Sequence, residues 1–392
     1  MGFKLTKKQS DAVLKALSWY YSSLDKPLLI ISGLAGSGKS TIIKYICETL
    51  GILNSNILYT ALTGKAVSVL RMKGHMANTI HKSFYNAKPY KNNVFFTKKQ
   101  TIPNFIKLIV IDEFGMVGDS FIDDILSFGV PVIGLGDHLQ LPPIFEKNSY
   151  MVEESLDIFL DEVMRTDDIS GILDIAMRAR NREELYPVTS GHSRIIDDKD
   201  EIKPMLEYDK VLCWTNKTRR YLNALIRDEL GIFNTYPVKN DKIVFLANRY
   251  DISLEYLGVE VCIVNGLECV VIEDSKIIND YQISVKARPT FMDDEDLYFY
   301  VRCNRMIFDS YTDIVTDIRT IMDLDREKEL FSTFADYAYA ITVTSSQGSE
   351  YGDILVLDEM DRWRPEYYRY LYTGITRARK SVDLLLNQQR TY

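Results

Sequence analysis

Short unbroken apolar runs alternate with segments of helical period along the 392-residue chain. The first half carries PLLIISG (27–33), NILYTAL (56–62), KLIVIDE (107–113) and VPVIGLGD (130–137). Strands buried on both faces read as continuous runs of this kind, so the four predict a parallel sheet. A second set begins at KVLCWTN (210–216) and resumes with YAYAITV (337–343), DILVLDE (353–359) and SVDLLLN (381–387). Helical patterns between the runs complete an α/β arrangement. Residues 233–330, between the two parts of the second set, have another character. There KIVFLA, VEVCIV, LECVVIE, YQISVK, LYFYVR and RMIFD follow one another with few helical segments. They predict a small antiparallel β-domain inserted into the second α/β domain. A further insert, residues 84–105, contains PYKNNVFF and predicts a hairpin turned at Asn92-Asn93.

Composition narrows the class. Apolar residues make up 46% and charged residues 26% of the chain, a soluble globular mix with material for two or three domains. No apolar run approaches the roughly 18 residues that span a bilayer. The start, MGFKLTKKQSDAV, lacks the apolar core of a secretory signal. A soluble, cytoplasmic protein without a membrane partner is expected. Five cysteines without CxxC spacing imply a reducing compartment, and four scattered histidines assemble no zinc site.

The net charge of −8 argues against a nucleic-acid binder. Its distribution argues the other way. Residues 49–111 contain no Asp or Glu but hold nine basic residues, so the remainder of the chain sums to −17. A polyanion-facing surface requires asymmetry of this kind.

The strongest chemical signal is GLAGSGKS, Gly33 to Ser40, which fits G-x4-G-K-[ST] between a strand-like run and a helical segment. Gly33, Gly36 and Gly38, with Ala35 and Ser37 between them, let backbone N–H groups cradle phosphate oxygens at a helix start that continues into Thr41. Lys39 then reaches the β and γ phosphates, and Ser40 ligates Mg²⁺. ATP and Mg²⁺ are the expected cofactors. KLIVIDE ends in Asp112-Glu113, at the strand edge where ligands of open α/β sheets gather. Asp112 is expected to hold the metal and Glu113 to activate water, a pair that favours hydrolysis over transfer to another acceptor.

From Leu5 to Lys380 the chain resembles superfamily 1 helicases, specifically the RecD/Dda-like branch that moves 5′ to 3′. The matching stretches fall in family order: LTKKQ (5–9), the P-loop, TALTGKA (60–66), ANTIHKSF (77–84), IDEFGM (111–116) and GDHLQLPP (136–143). DEVMR (161–165), CWTNKTR (213–219), YAYAITVTSSQGSE (337–350) and LYTGITRAR (371–379) continue the series. The resemblance implies that Gln9 reads the adenine edge, Gln140 senses the γ-phosphate, and Arg165 and Arg377 are arginine fingers. It puts Gly348 and Glu350 near the ribose and phosphates. It assigns strand contacts to Thr63, Lys65, Thr79, His81, Thr215, Asn216, Thr342 and Thr344, residue types that grip phosphate without reading sequence.

The architecture so implied is two RecA-like P-loop domains facing an ATP site, residues 1–148 and 149–232 joined with 331–392. The hairpin at 84–105 would be a pin, Phe95 or Phe96 meeting the duplex junction, and 233–330 an SH3-like insert. Thr344-Ser345 stand where the family carries His-Lys. The implied function is a monomeric, ATP-dependent helicase acting on single-stranded DNA and single/double-strand junctions, a minimal motor of the sort a phage carries, working with replication or recombination proteins. An RNA or mixed-substrate translocase, a P-loop phosphotransferase and a nucleotide-gated binding module remain open at this point.

Overall fold

The computed structural model describes residues 5–22, 26–34, 36–90, 93–143, 147–162, 170–256, 258–311 and 318–387, with backbone alone for 87–90, 93–95 and 259. The chain divides into two compact units, Met1–Asp167 and Asp168–Tyr392.

The first unit runs α1 (Lys7–Tyr21), β1 (Leu28–Gly33), α2 (Lys39–Thr49), β2 (Ile57–Ala61), α3 (Gly64–Met72), β3 (Ala77–Thr79), α4 (Ile80–Phe84), β4 (Tyr85–Tyr90), β5 (Asn93–Lys98), β6 (Leu108–Ile111), α5 (Asp119–Leu126), β7 (Val132–Gly136) and β8 (Ile158–Leu160). α1 starts at a capping box, in which Thr6 accepts from the Gln9 N–H and Gln9 accepts from the Thr6 N–H. Its Ala12, Val13, Ala16 and Trp19 then recur at helical spacing and are buried. The sheet has the order β3-β2-β6-β7-β1-β8, parallel throughout.

The four apolar runs are β1, β2, β6 and β7, and β3 and β8 add short edges. Ile158–Leu160 pairs with Ile31–Gly33, which carries the first unit past the boundary expected at residue 148. β4 and β5 form an antiparallel ribbon in which Tyr90 stands opposite Asn93. Asn93 belongs to the second strand, and Asn92 of the turn expected at Asn92-Asn93 lies outside the described residues.

The second unit begins with α6 (Ser170–Arg180), β9 (Val188–Ser190), β10 (Ser193–Ile196), β11 (Lys210–Cys213) and α7 (Asn216–Glu229). An antiparallel stretch follows: β12 (Lys242–Phe245), β13 (Arg249–Tyr256), β14 (Val259–Ile263), β15 (Glu268–Val271), β16 (Lys276–Ile277), β17 (Gln282–Pro289) and β18 (Phe299–Asn304). The chain continues through α8 (Met306–Asp309), α9 (Ile318–Glu327), β19 (Ala335–Tyr337), β20 (Ala340–Thr342), α10 (Val343–Ser346), β21 (Tyr351–Leu357), α11 (Tyr367–Ile375) and β22 (Ala378–Leu385).

The α/β sheet of this unit has the order β20-β11-β21-β22-β10-β9, with only the terminal β9 antiparallel among its described strands. The other sheet has the order β16-β17-β15-β12-β19, with β18 on β17. YAYAITV, read as one strand, is two: β19 pairs with β12 in the antiparallel sheet, and β20 pairs with β11 in the parallel one. The inserted sheet therefore extends past residue 330 to Tyr337. Three buried ion pairs tie it to β11 and α7: Lys210–Glu268 at 2.7 Å, Arg219–Asp336 at 2.6 Å and Arg227–Asp241 at 3.1 Å. All five cysteines are buried. Among the described residues no helix is long and apolar enough to cross a membrane.

Candidate nucleotide and nucleic-acid sites

β1 delivers the chain to the P-loop. Gly36 and Gly38 have φ of 77° and 84°, a region that side chains resist, and α2 starts directly after them. Gly33 serves close approach instead. A Cβ there would lie 2.5 Å from Ser37 Oγ and 2.9 Å from Leu160 Cβ, because β8 packs against the loop and its Leu160 carbonyl accepts the Leu34 N–H. Lys39 Nζ donates to the carbonyls of Gly33 at 2.6 Å and Leu34 at 3.0 Å. Ser37 Oγ is buried with no hydrogen-bond partner among the described residues, an orphan donor inside an anion cradle. Ser40 is exposed and Thr41 half-buried on the first turn of α2. These features fit a nucleotide phosphate. Gln9, 2% exposed, donates Nε2 to the Ser37 carbonyl at 3.3 Å. Ala35 lies outside the described residues.

The strand order β6-β7-β1 brings three strand ends together. Asp112 and Glu113 follow β6, and Gln140 follows β7. Burial raises the Asp112 carboxyl above the usual carboxylate range, while the Glu113 N–H and the charges of Lys39, Lys73 and His75 oppose that rise. The N–H of Glu113 donates to Asp112 Oδ1 at 3.1 Å. Glu113 has φ of 51°, a strained conformation for this residue type. Its neighbour enforces that shape. The buried Phe114 ring fills the place of a side chain at Gly134 of β7, where a Cβ would lie 2.7 Å from the ring, and Asn148 Nδ2 holds the Phe114 carbonyl at 2.7 Å. Gln140 is buried and donates its N–H to the Asp137 carbonyl at 3.2 Å. Sequence reasoning missed the nearby link between Ser32 Oγ and His138 Nδ1, 2.9 Å long, which joins the ends of β1 and β7.

Four of the five threonines assigned to nucleic acid share one structural role. Each is a helix N-cap: Thr63 accepts the Ala66 N–H at 3.3 Å, Thr79 that of Lys82 at 3.2 Å, Thr215 that of Thr218 at 3.1 Å, and Thr342 that of Ser345 at 3.2 Å. The two sheets repeat the arrangement. Thr79 ends β3 opposite Ala61 of β2, and Thr342 ends β20 opposite Cys213 of β11. Thr63 and Thr215 then stand two residues beyond Ala61 and Cys213. Each parallel sheet thus ends on the same edge in two threonine-capped helix starts. Lys65 and Thr344 are half-buried on α3 and α10, and Asn216 is exposed as the first residue of α7.

One of these caps has an unforeseen occupant. Glu359 takes the N–H of Trp214 at 2.7 Å, the N–H of Thr215 at 3.2 Å and the Thr215 hydroxyl at 3.0 Å, and also the Thr218 hydroxyl. The Thr215 hydroxyl thus lies 3.0 Å from both Glu359 Oε1 and Thr218 Oγ1.

The hairpin is anchored through β4 and β5. Tyr85 OH donates to Asp124 Oδ2 at 2.7 Å, and Lys98 Nζ lies 3.1 Å from Asp124 Oδ1. The His81 ring packs on Phe96 with centroids 4.7 Å apart and edge-on to Phe121 at 5.0 Å. Burial holds its imidazole below the usual histidine range. Phe96 is still 48% exposed. The Phe95 side chain lies outside the described residues.

In the second unit Arg377 is 4% exposed and folds back on its own surroundings. Nε donates to the Thr373 carbonyl at 3.1 Å, Nη1 to the Ser349 carbonyl at 3.3 Å and Nη2 to Thr376 Oγ1 at 3.3 Å. Arg377 is thereby joined to the turn of Gly348, whose φ is 74°, and the exposed Glu350. Arg165 lies outside the described residues.

Two sequence profiles match the chain, one described as an AAA domain over residues 4–195 and one as a UvrD-like helicase C-terminal domain over residues 337–385. The chain is 28% identical over 263 residues to the ATP-dependent DNA helicase dda of Enterobacteria phage T4, a match covering 58% of this chain and 57% of that protein. It is 30% identical over 122 residues to the ATP-dependent RecD2 DNA helicase of Deinococcus radiodurans, covering 30% of this chain and 16% of that protein. A solved structure of Pif1 helicases at forked duplex DNA aligns with a TM-score of 0.55 at 18% identity, over 97% of this chain and 92% of that one. The chain is a homologue of the Dda and RecD2 DNA helicases. This homologue also aligns with Pif1 helicase from Candida albicans, with a TM-score of 0.51 and 14% identity over 98% of this chain and 94% of that one. The structural likenesses carry the fold. The sequence matches span 57% and 16% of the lengths of the two curated relatives.

Proposed function

We propose that this chain is an ATP-dependent DNA helicase that translocates 5′ to 3′ on single-stranded DNA and unwinds duplex. The observation that carries the reading is the repeated edge, Thr63 with Thr79 and Thr215 with Thr342. A phosphotransferase needs one nucleotide sheet and an acceptor pocket. A motor needs two grips on one polyanion; the caps of Thr63, Thr79 and Thr342 offer hydroxyls and helix-start N–H groups for phosphate without reading sequence, and the Thr215 cap offers them once Glu359 leaves it. The acid-free stretch 49–111 covers β2, β3 and the hairpin, so the first grip carries a positive field.

In the first unit the P-loop N–H groups bind the phosphates of ATP, and Lys39 exchanges its two carbonyl partners for phosphate oxygens. Ser40 and Asp112 would hold Mg²⁺, which when bound neutralises charge on the β and γ phosphates. Glu113 takes the proton of the attacking water, Gln140 senses the γ-phosphate, and Gln9 borders the loop from α1. Arg377 and Arg165 supply positive charge as the phosphoryl group transfers. Gly348 and Glu350 support Arg377. The antiparallel sheet serves as an SH3-like insert, and the hairpin serves as the pin that splits the junction. The 5′ to 3′ sense follows from the likeness of ANTIHKSF and GDHLQLPP to the RecD/Dda-like branch. Strand displacement on duplexes with a 5′ or a 3′ single-stranded tail tests the proposal: the 5′-tailed substrate is unwound, and faster unwinding of the 3′-tailed one contradicts it.

A further inference from the structure

β21 ends at Leu357, and residues 358–366 connect it to α11. Trp363 in this connection is 94% exposed. The chain has three tryptophans. Trp19 is buried, and Trp214 packs edge-on to Tyr370 with centroids 5.4 Å apart. Of the three, Trp363 alone leaves its indole open to solvent, and an indole is a ring with an apolar face and a polar edge suited to contact surfaces.

The segment that carries it is well tied. Asp361 Oδ1 accepts the Trp363 N–H at 3.1 Å, and the Asp361 carbonyl accepts the Arg364 N–H at 3.0 Å. The Arg364 carbonyl takes the Tyr367 N–H at 3.1 Å, and Tyr367 OH donates to Asp358 Oδ2 at 3.0 Å. Asp361 is spent on the turn itself. Arg362 and Arg364, both exposed, stand on either side of Trp363 in sequence, and Arg362 Nη2 lies 3.9 Å from Asp358 Oδ2.

Its place in the fold supplies the second argument. The connection leaves the end of β21, the strand that pairs with β11. Glu359, at its start, is seated on the cap of α7 through Trp214 and Thr215. The indole therefore belongs to the sheet edge that bears Thr215 and Thr342. We propose that Trp363 is a stacking platform for an unpaired base of the bound strand, with Arg362 and Arg364 on the flanking phosphates. The proposal rests on the nucleic-acid reading of that edge. An indole face accepts any base, and arginine on phosphate is equally indifferent to sequence, so the pairing suits a translocating grip.

The test titrates the full chain with a 16-residue oligo(dT) and follows tryptophan emission and affinity across a salt series. Wild type is expected to be quenched on binding. Trp363→Ala should lose that quenching and bind about tenfold more weakly, with the same dependence on salt. Trp363→Phe should recover most of the affinity. Arg362→Ala with Arg364→Ala should reduce the log–log salt slope by about 0.7 for each phosphate left without its arginine. Thermal melting of Trp363→Ala should match wild type, since the ring is exposed. If wild type binds the strand while Trp363→Ala keeps wild-type affinity and quenching, the platform is overturned and the edge reading stands. If wild type binds no strand, both fall.

Discussion

Glu359 Oε1 lies 3.0 Å from the Thr215 hydroxyl although the two residues lie 144 positions apart in sequence. The same carboxylate takes two backbone N–H groups at the start of α7. Anionic acceptors at a helix N-terminus form charge-assisted bonds of above-average strength. Glu359→Ala is therefore expected to lower stability by about 1–3 kcal/mol, and Glu359→Gln by less, since Thr215 still caps Thr218. Urea unfolding measures both. An unchanged midpoint in Glu359→Ala would mean that the carboxylate holds nothing in place.

Gly33 tests the loop by shape. An added methyl group would meet Ser37 Oγ at 2.5 Å and Leu160 Cβ at 2.9 Å, and only the serine can turn away. Gly33→Ala should weaken nucleotide binding at least tenfold and cost about 1–3 kcal/mol of stability through overpacking. Titration with a fluorescent nucleotide, beside urea unfolding, checks the two effects. Tight binding by the variant contradicts the cradle.

Glu113 separates strain from chemistry. Its φ of 51° suits glycine better than glutamate. Glu113→Gly should gain about 1 kcal/mol of stability and lose hydrolysis. Glu113→Gln should keep nucleotide binding and lose turnover, because the base is gone while Asp112 is untouched. Normal hydrolysis in Glu113→Gln would assign water activation to another residue.

The hairpin offers a pair of variants. Phe96 rests on His81 at 4.7 Å, so Phe96→Ala should loosen the ribbon and reduce both strand-stimulated hydrolysis and unwinding. Phe95→Ala should cut duplex unwinding severalfold and leave single-strand-stimulated hydrolysis nearly intact. Parallel losses in both variants would place the junction contact elsewhere.

The sequence carried the parallel strands β1, β2, β6 and β7 plainly, because burial on both faces leaves an unbroken apolar run. It did not carry β3 or β8, whose three residues each are too few to show a period. Tyr337 and Ala340 sit in one apolar run yet belong to two sheets, a division set by pairing with β12 and β11 and invisible locally. The P-loop was legible because its spacing and its glycines are the mechanism. The shared N-cap role of Thr63, Thr79, Thr215 and Thr342 had a local signal, a threonine after a strand with a helix beyond it. Glu359 and Trp363 had none, since one acts on a helix cap 144 positions away and the other matters through exposure.

In the proposed function the P-loop of the first unit hydrolyses ATP in response to a bound single strand. Steady-state phosphate release by the full chain, with and without single-stranded DNA and beside Lys39→Ala, tests it most directly. Slow release alone, a rise of at least tenfold with the strand, and none from Lys39→Ala under either condition are expected. Release that ignores the strand, or that survives in Lys39→Ala, would contradict it.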